Sequence, residues 1–422
     1  MTRGVILAAP HSGSGKTTVT LGLLRALSAR GVRVQGAKSG PDYIDPRFHA
    51  HSCGQPCVNL DAWAMGPKRL SALLHGADLV LIEGAMGLFD GAPPTGKGAV
   101  ADLARLYGIP VILVVDVSRM AQSVAAIVAG FARHDPEVHI GGIILNKVGS
   151  PRHEAMLRAA LAPLDIPVLG ALHRNGDLSL PSRHLGLVQA EEREDLDVFL
   201  DRAGKIVGET VDLDAVAILA NDITTLPAHP RTAPPAQTIA VAEDAAFAFS
   251  YPHLLADWRA QGAEVRLFSP LAGDTTPVAD LIYLPGGYPE LHAGRIANNH
   301  HFLQALREAA ARRAVYGECG GFMVLGDGMV DGQGVRHKMA GLLRLETSFA
   351  QRKLSLGYRD AQVAGGPFHG RWKAHEFHYA TTLKSEGQPF AASQDAEGSD
   401  LGPTGLRAGS VSGSFLHLID RI

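Results

Sequence analysis

The stretch Ala8-Ala9-Pro10-His11-Ser12-Gly13-Ser14-Gly15-Lys16-Thr17-Thr18 constrains this chain more than any other. A phosphate-binding loop has the form G-x-x-x-x-G-K-[ST], with a strand before it and a helix after it. Pro10 stands where that form has its first glycine, and the rest of the pattern is intact. The apolar run over residues 5–9 predicts a strand, and the apolar-spaced segment over 17–29, closed by Gly31, predicts a helix. In that context the backbone N–H groups of Gly13, Ser14, Gly15 and Lys16 are expected to cradle phosphate oxygens. Lys16 would reach the outer phosphates, and Thr17 would ligate Mg²⁺ beside Thr18. A plain Gly/Ser turn shares the composition but does not require both flanking elements.

Apolar, β-rich runs recur at "DLVLIEG" (78–84), "IPVILVVD" (109–116), "HIGGIILNK" (139–147) and "IPVLGAL" (166–172). Continuous apolar strands belong in a parallel sheet covered on both faces, and ligands collect at the C-terminal ends of such strands. A proline- and threonine-rich stretch, "ANDITTLPAHPRTAPPAQT", interrupts the pattern, which restarts at "TIAVAED", "EVRLFSP" and "DLIYLPGG". A chain of 422 residues is long enough for two cores. The expected fold is α/β with two doubly wound domains, residues 1–222 and 238–422, joined by a linker over 223–237.

The formal net charge of -3 supplies no basic field for nucleic acid or an anionic membrane, so small-molecule partners are expected. The chain shows no signal-like start and no apolar run long enough to span a bilayer, from which a cytoplasmic location is expected. Cys53 and Cys57, in "CGQPC", lack a second pair to complete a zinc site and read as incidental thiols.

The third cysteine, Cys319, sits in "AVYGECGGFMVLG", after a short apolar run and before a helix-like one, flanked by Gly317, Gly320 and Gly321. Small residues there permit the sharp turn that exposes a nucleophile, and a helix N-terminus behind it should lower the thiol pKa. "GSFLHLID" supplies His417 as a base, and "LPGGYPE" offers backbone N–H groups at Gly286, Gly287 and Tyr288 for an oxyanion hole. This order of motifs resembles a triad-type glutamine amidotransferase domain, which implies glutamine hydrolysis through a cysteinyl thioester and ammonia passed to a second site. The usual pattern has Pro-Glu directly after the histidine. Here Leu418 and Ile419 follow it, and Asp420 is displaced by one place. The corrinoid-amidating branch is similar in lacking that glutamate.

The A-P-x-S-G-x-G-K-T form of the phosphate loop resembles dethiobiotin synthetase, which phosphorylates a carboxyl-derived oxygen. "KSGPDYIDPRFH" (38–49) and "EGAMGLFDG" (83–91) follow apolar runs and bring acidic residues to the same sheet edge. Asp42 or Asp45, with Glu83 and Thr17, make a plausible set of hard oxygen ligands for Mg²⁺, and Lys38 would neutralise a carboxylate or a transferring phosphoryl group.

Together with "LPSRHLGL" (180–187) and "HEFHY" (375–379), these motifs are similar to the cobyrinic acid a,c-diamide synthase family over nearly the whole chain. The resemblance implies an ATP- and Mg²⁺-dependent ligase that converts the a- and c-acetates of cobyrinic or hydrogenobyrinic acid to carboxamides through acyl phosphates, with glutamine as nitrogen donor. It implies adenine contact at Asn146 and contacts to the corrinoid acid from Asp42, Tyr43, Asp45, Asp90, His375, Glu376, His378 and Tyr379. A homodimer is compatible with it. Two alternatives stay open: amidation of another carboxylated tetrapyrrole such as nickel sirohydrochlorin, and a partitioning-type ATPase switch, which would have no use for Cys319.

Overall fold

Seven parallel strands form the sheet that the apolar runs of the first half predict: β1 (Arg3–Ala8), β2 (Val34–Ser39), β3 (Val58–Leu60), β4 (Leu79–Glu83), β5 (Val111–Asp116), β6 (Ile140–Val148) and β7 (Val168–His173), in the order β3-β2-β4-β1-β5-β6-β7. A two-residue strand, Asn221–Asp222, adds antiparallel to β1. The computed structural model that shows this describes residues 2–422 apart from 75, 179–181, 184–185, 225 and 227–230. The "LPSRHLGL" motif therefore lies largely outside the described residues. Contacts divide the chain into two compact units, Met1–His229 and Pro230–Ile422.

The strands are mostly apolar because helices cover both faces, with polar residues such as Lys38 and Glu83 at their C-terminal ends. The helix Lys16–Ala29 sends Val19, Leu23 and Leu27 into one core with Val5, Leu7, Leu81 and Val114. Parallel pairing then brings strand ends to one edge. Glu83 is the register partner of both Leu7 and Lys38, and Asp116 is the partner of Asn146. The phosphate loop and the acidic segments leave the sheet at this edge.

The second unit has its own parallel sheet. Its order is Glu264–Phe268, Thr238–Ala242, Leu281–Leu284, Ala314–Glu318 and Val411–Ser414, with Leu406–Ala408 antiparallel at the edge. A five-stranded antiparallel sheet adds to the doubly wound pattern, in the order Asp400–Thr404, Ala391–Gln394, Ser355–Val363, Gly370–His378 and Leu416–Arg421. The chain passes from the parallel sheet at Ser414 to the antiparallel one at Leu416 with Phe415 alone between them. That short passage sets His417 close to where the parallel strands end.

Candidate functional site

The phosphate loop is shaped by two glycines, Gly13 and Gly15, at φ of 78° and 87°. A side chain would be strained there, and the left-handed turns aim successive N–H groups inward. A Cβ on Gly15 would stand 2.2 Å from Asn146 Nδ2. Asn146 braces the loop in this structure, donating from Nδ2 to the Ser14 carbonyl at 2.9 Å while its Oδ1 accepts from the Lys147 N–H. Lys147 bridges Asp116 Oδ2 at 2.6 Å and the Gly13 carbonyl at 3.2 Å, a tie that the motif alone does not announce. Thr18 reaches the Leu178 carbonyl at 3.5 Å. Lys16 donates to the Met86 carbonyl at 2.5 Å, joining the phosphate loop to the "EGAMGLFDG" loop. Burial pulls its ammonium down to about 8, against the attraction of Glu83.

Beside Lys16, four of the expected residues converge. Thr17 Oγ1 donates to Glu83 Oε1 at 2.6 Å and lies 3.4 Å from Asp45 Oδ2. Lys38 Nζ donates to Asp45 Oδ2 at 2.5 Å and to Glu83 Oε1 at 2.9 Å. Asp42 has a different task, its Oδ1 accepting from the N–H groups of Ile44 and Asp45 where the helix Asp45–Cys53 begins. Of the two aspartates, Asp45 therefore faces the cluster. Tyr43 is buried, and Asp90 Oδ2 accepts from the Gly87 N–H at 2.9 Å within its own loop.

His49 was given no part from sequence, yet its Nε2 lies 2.6 Å from Glu83 Oε2, and Cys57 Sγ lies 3.4 Å from its Nδ1. The available signal was spacing, since Asp45 and His49 are i and i+4 on one helix and share a face.

These neighbours set the charges. Burial raises the Glu83 pKa, but Lys38 and the hydrogen bond from His49 outweigh it and hold the carboxyl well below its ordinary range. Burial lowers Lys38, and Asp45 and Glu83 more than reverse this. Asp45 is pushed up to about 6 by burial and by Asp42, against Lys38. One hydroxyl and two carboxylates suit Mg²⁺, which takes few protein oxygens and fills its octahedron with phosphate and water.

In the second unit Cys319 adopts φ 46° and ψ -103° between the strand Ala314–Glu318 and the helix Gly320–Leu325. Glycine makes the turn possible, because a Cβ on Gly321 would lie 1.9 Å from the Leu284 carbonyl oxygen. A Cβ on Gly286 would fall 2.3 Å from His417 Cε1 and 3.2 Å from Cys319 Cβ, so Gly286 packs directly against both the imidazole and the cysteine. The Gly287 nitrogen is 3.1 Å from the Cβ position of Gly320, so the "PGG" turn packs against the start of the helix that follows Cys319. Tyr288 is buried, its ring edge-on to Phe249 at 5.1 Å.

The thiol pKa moves opposite to the expectation from sequence. Burial and the charge of Glu290 push it above its ordinary value, and the Gly320 N–H at the helix start, which pulls it down, is outweighed. His417 is depressed to about 3 by burial and by His375 and His378. Both shifts favour the uncharged thiol and the uncharged imidazole. Asp420 is engaged elsewhere, accepting from Thr232 Oγ1 at 3.1 Å.

"HEFHY" lies in this unit, around the thiol. His375 is the cross-strand partner of His417, and the Phe377 carbonyl is 4.0 Å from Cys319 Sγ. His378 stacks on Phe415 with centroids 3.9 Å apart, and its Nε2 lies 3.1 Å from Glu376 Oε1. Arg359 holds the other oxygen of Glu376 at 2.8 Å. Tyr379 follows, tilted on Phe377 at 6.3 Å. The expected corrinoid contacts thus divide, with Asp42, Tyr43, Asp45 and Asp90 in the first unit and these four residues in the second.

Comparisons with known proteins match the two units separately. Residues 5–188 match the CobQ/CobB/MinD/ParA nucleotide binding domain, and residues 238–421 match the CobB/CobQ-like glutamine amidotransferase domain. The hydrogenobyrinate a,c-diamide synthase of Brucella anthropi is 56% identical over 99% of this chain and 98% of its own length. Its namesake in Rhizobium meliloti is 53% identical over 99% of each chain. That of Rhodobacter capsulatus is 53% identical over 99% of this chain and 98% of its own.

Proposed function

This chain belongs to the hydrogenobyrinate a,c-diamide synthase family, a glutamine-dependent amide-forming enzyme with a nucleotide-binding unit, and from that premise we propose a two-stage reaction for it. The substrate groups are the a- and c-acetate carboxylates of hydrogenobyrinic or cobyrinic acid, and each is activated by ATP before ammonia replaces the oxygen. A carboxylate is a poor acyl donor because its leaving group would be oxide. Phosphorylation substitutes a good one. The loop N–H groups and Lys16 hold the phosphates, and Lys38 offsets charge on the acid or on the transferring phosphoryl group. Thr17, Asp45 and Glu83 would hold Mg²⁺, which supplies charge neutralisation across the phosphates when bound. Ammonia attacks the acyl phosphate carbon, and inorganic phosphate leaves.

In the second unit Cys319 Sγ attacks the carboxamide carbon of glutamine while the thiol proton passes to His417. That proton then goes to the departing nitrogen as the C–N bond breaks, releasing ammonia and leaving a thioester that water hydrolyses to glutamate. Gly287 and the helix N-terminus at Gly320 offer N–H groups to the oxyanion.

The observation that carries the reading is that one chain holds both halves: Lys16, Thr17, Lys38, Asp45 and Glu83 converge at one sheet edge, and a strained thiol faces an imidazole across Gly286. A partitioning-type switch has no use for the second half. Purified protein supplied with ATP, Mg²⁺, glutamine and a panel of hydrogenobyrinic acid, cobyrinic acid and nickel sirohydrochlorin, analysed by mass, tests it. Diamide from a corrinoid acid, dependent on both ATP and glutamine, is expected. ATP hydrolysis without amide from any of the three would overturn it.

A further inference from the structure

We propose that Glu318, the residue before the thiol, is the positioning residue for His417: its carboxylate holds the Nδ1 edge of the imidazole so that Nε2 faces Cys319. It would do the work of the glutamate that follows the histidine in the related amidotransferase pattern. The proposal rests on the glutaminase reading above.

Glu318 Oε2 lies 3.8 Å from His417 Nδ1, and neither side chain is more than 3% exposed. This is longer than a hydrogen bond, and catalytic contacts are often long before substrate is bound. The carboxylate is fixed from three directions, with Tyr283 Oη donating to Oε2 at 2.8 Å, and Tyr316 Oη and the Leu418 N–H donating to Oε1 at 3.1 and 3.2 Å. The Leu418 donor is notable because it is the backbone just after His417. The strand that carries no acid directly after its histidine thus clamps one supplied by the strand Ala314–Glu318. Asp420, the nearest acid along the chain, is held by Thr232 instead.

Burial pushes the Glu318 pKa up to about 7 in spite of the donors from Tyr283, Leu418 and Tyr316. A carboxylate so placed is stabilised most when a positive charge appears opposite it, which happens when His417 takes the thiol proton on Nε2. Glu318 neither gains nor loses a proton in that cycle. Other groups facing the pair are His375 and His378 on the imidazole side, and Glu290 and Glu376 near the thiol.

The test is E318Q and E318D in the full chain, read as glutamine-hydrolysis kcat, KM and pH profile, with ammonium-driven amidation, which does not use the thiol, as the check on folding. In the wild type the rate should rise with pH through about 7 as Glu318 ionises. E318Q should lower kcat roughly 100-fold with little change in KM and abolish that acid limb. E318D should keep the limb and recover part of the rate. A wild-type rate and profile in E318Q overturn the proposal, as does a lowered rate whose acid limb is unmoved. C319A run in parallel separates the two readings. If C319A still hydrolyses glutamine, the thiol mechanism fails; if C319A is dead while E318Q behaves as wild type, the positioning role alone fails.

Discussion

At the scale of single residues, the two halves of the reaction predict opposite patterns of rescue. Cys319→Ala should abolish glutamine-driven amidation and leave ammonium-driven amidation at high pH intact, because the acyl-activating unit does not use the sulfur. Lys16→Ala should suppress both, by about 100-fold or more, since phosphate positioning precedes either nitrogen source. Steady-state rates with the two nitrogen donors check both outcomes. The titrations of Asp45 and Lys16 also bracket a pH window. Below about 6 Asp45 is protonated and lost as a hard ligand, and above about 8 Lys16 is uncharged. MgATP affinity measured by calorimetry should fall on either side of that window, and Lys16→Arg should remove the alkaline limb, because guanidinium stays charged. Lys16, Thr17, Lys38, Asp45 and Glu83 were legible in sequence because the chemistry needs those types after apolar strands. His49 and Glu318 were not, because their roles come from partners 34 and 99 positions away, at Glu83 and His417.

At the scale of elements, the apolar runs gave their strands within a residue or two because both faces of a parallel sheet are buried. The strands Ser355–Val363 and Gly370–His378 mix exposed, half-buried and buried positions instead of forming continuous apolar runs, and Gly370–His378 pairs onward with the distant strand Leu416–Arg421, so the antiparallel sheet of the amidotransferase unit was not foreseen. Close contacts between elements make two glycines sharp tests. Gly321→Ala would put a Cβ 1.9 Å from the Leu284 carbonyl and should destabilise the second unit by about 1–3 kcal/mol, measurable by denaturant unfolding. Gly286 has an ordinary backbone conformation, so Gly286→Ala isolates a steric effect. Its Cβ should displace His417 and slow glutamine hydrolysis by about 100-fold with ammonium-driven synthesis preserved.

At the scale of the whole molecule, the proposed reaction has one phosphate loop and one acidic cluster at which to make an acyl phosphate, and two acetates to activate. On that proposal the second carboxylate reaches the site by re-binding. A time course should show free monoamide rising before diamide, and substitutions at Asp42 or Tyr43 should make it accumulate; diamide from the outset, with no monoamide chased by fresh substrate, would exclude release between steps. The sequence by itself determined the two α/β units, the phosphate-loop turn and the sharp turn at Cys319, because each rests on a local pattern: a turn that demands glycine, a strand that must be apolar, a helix start after a glycine-rich loop. Only the tertiary structure decided which aspartate faces Thr17, that "HEFHY" lies beside Cys319, and that the acid nearest His417 comes from another strand. Those outcomes depend on which strands pair and in what register, and on a burial that reverses the thiol's expected pKa, none of which a linear pattern encodes.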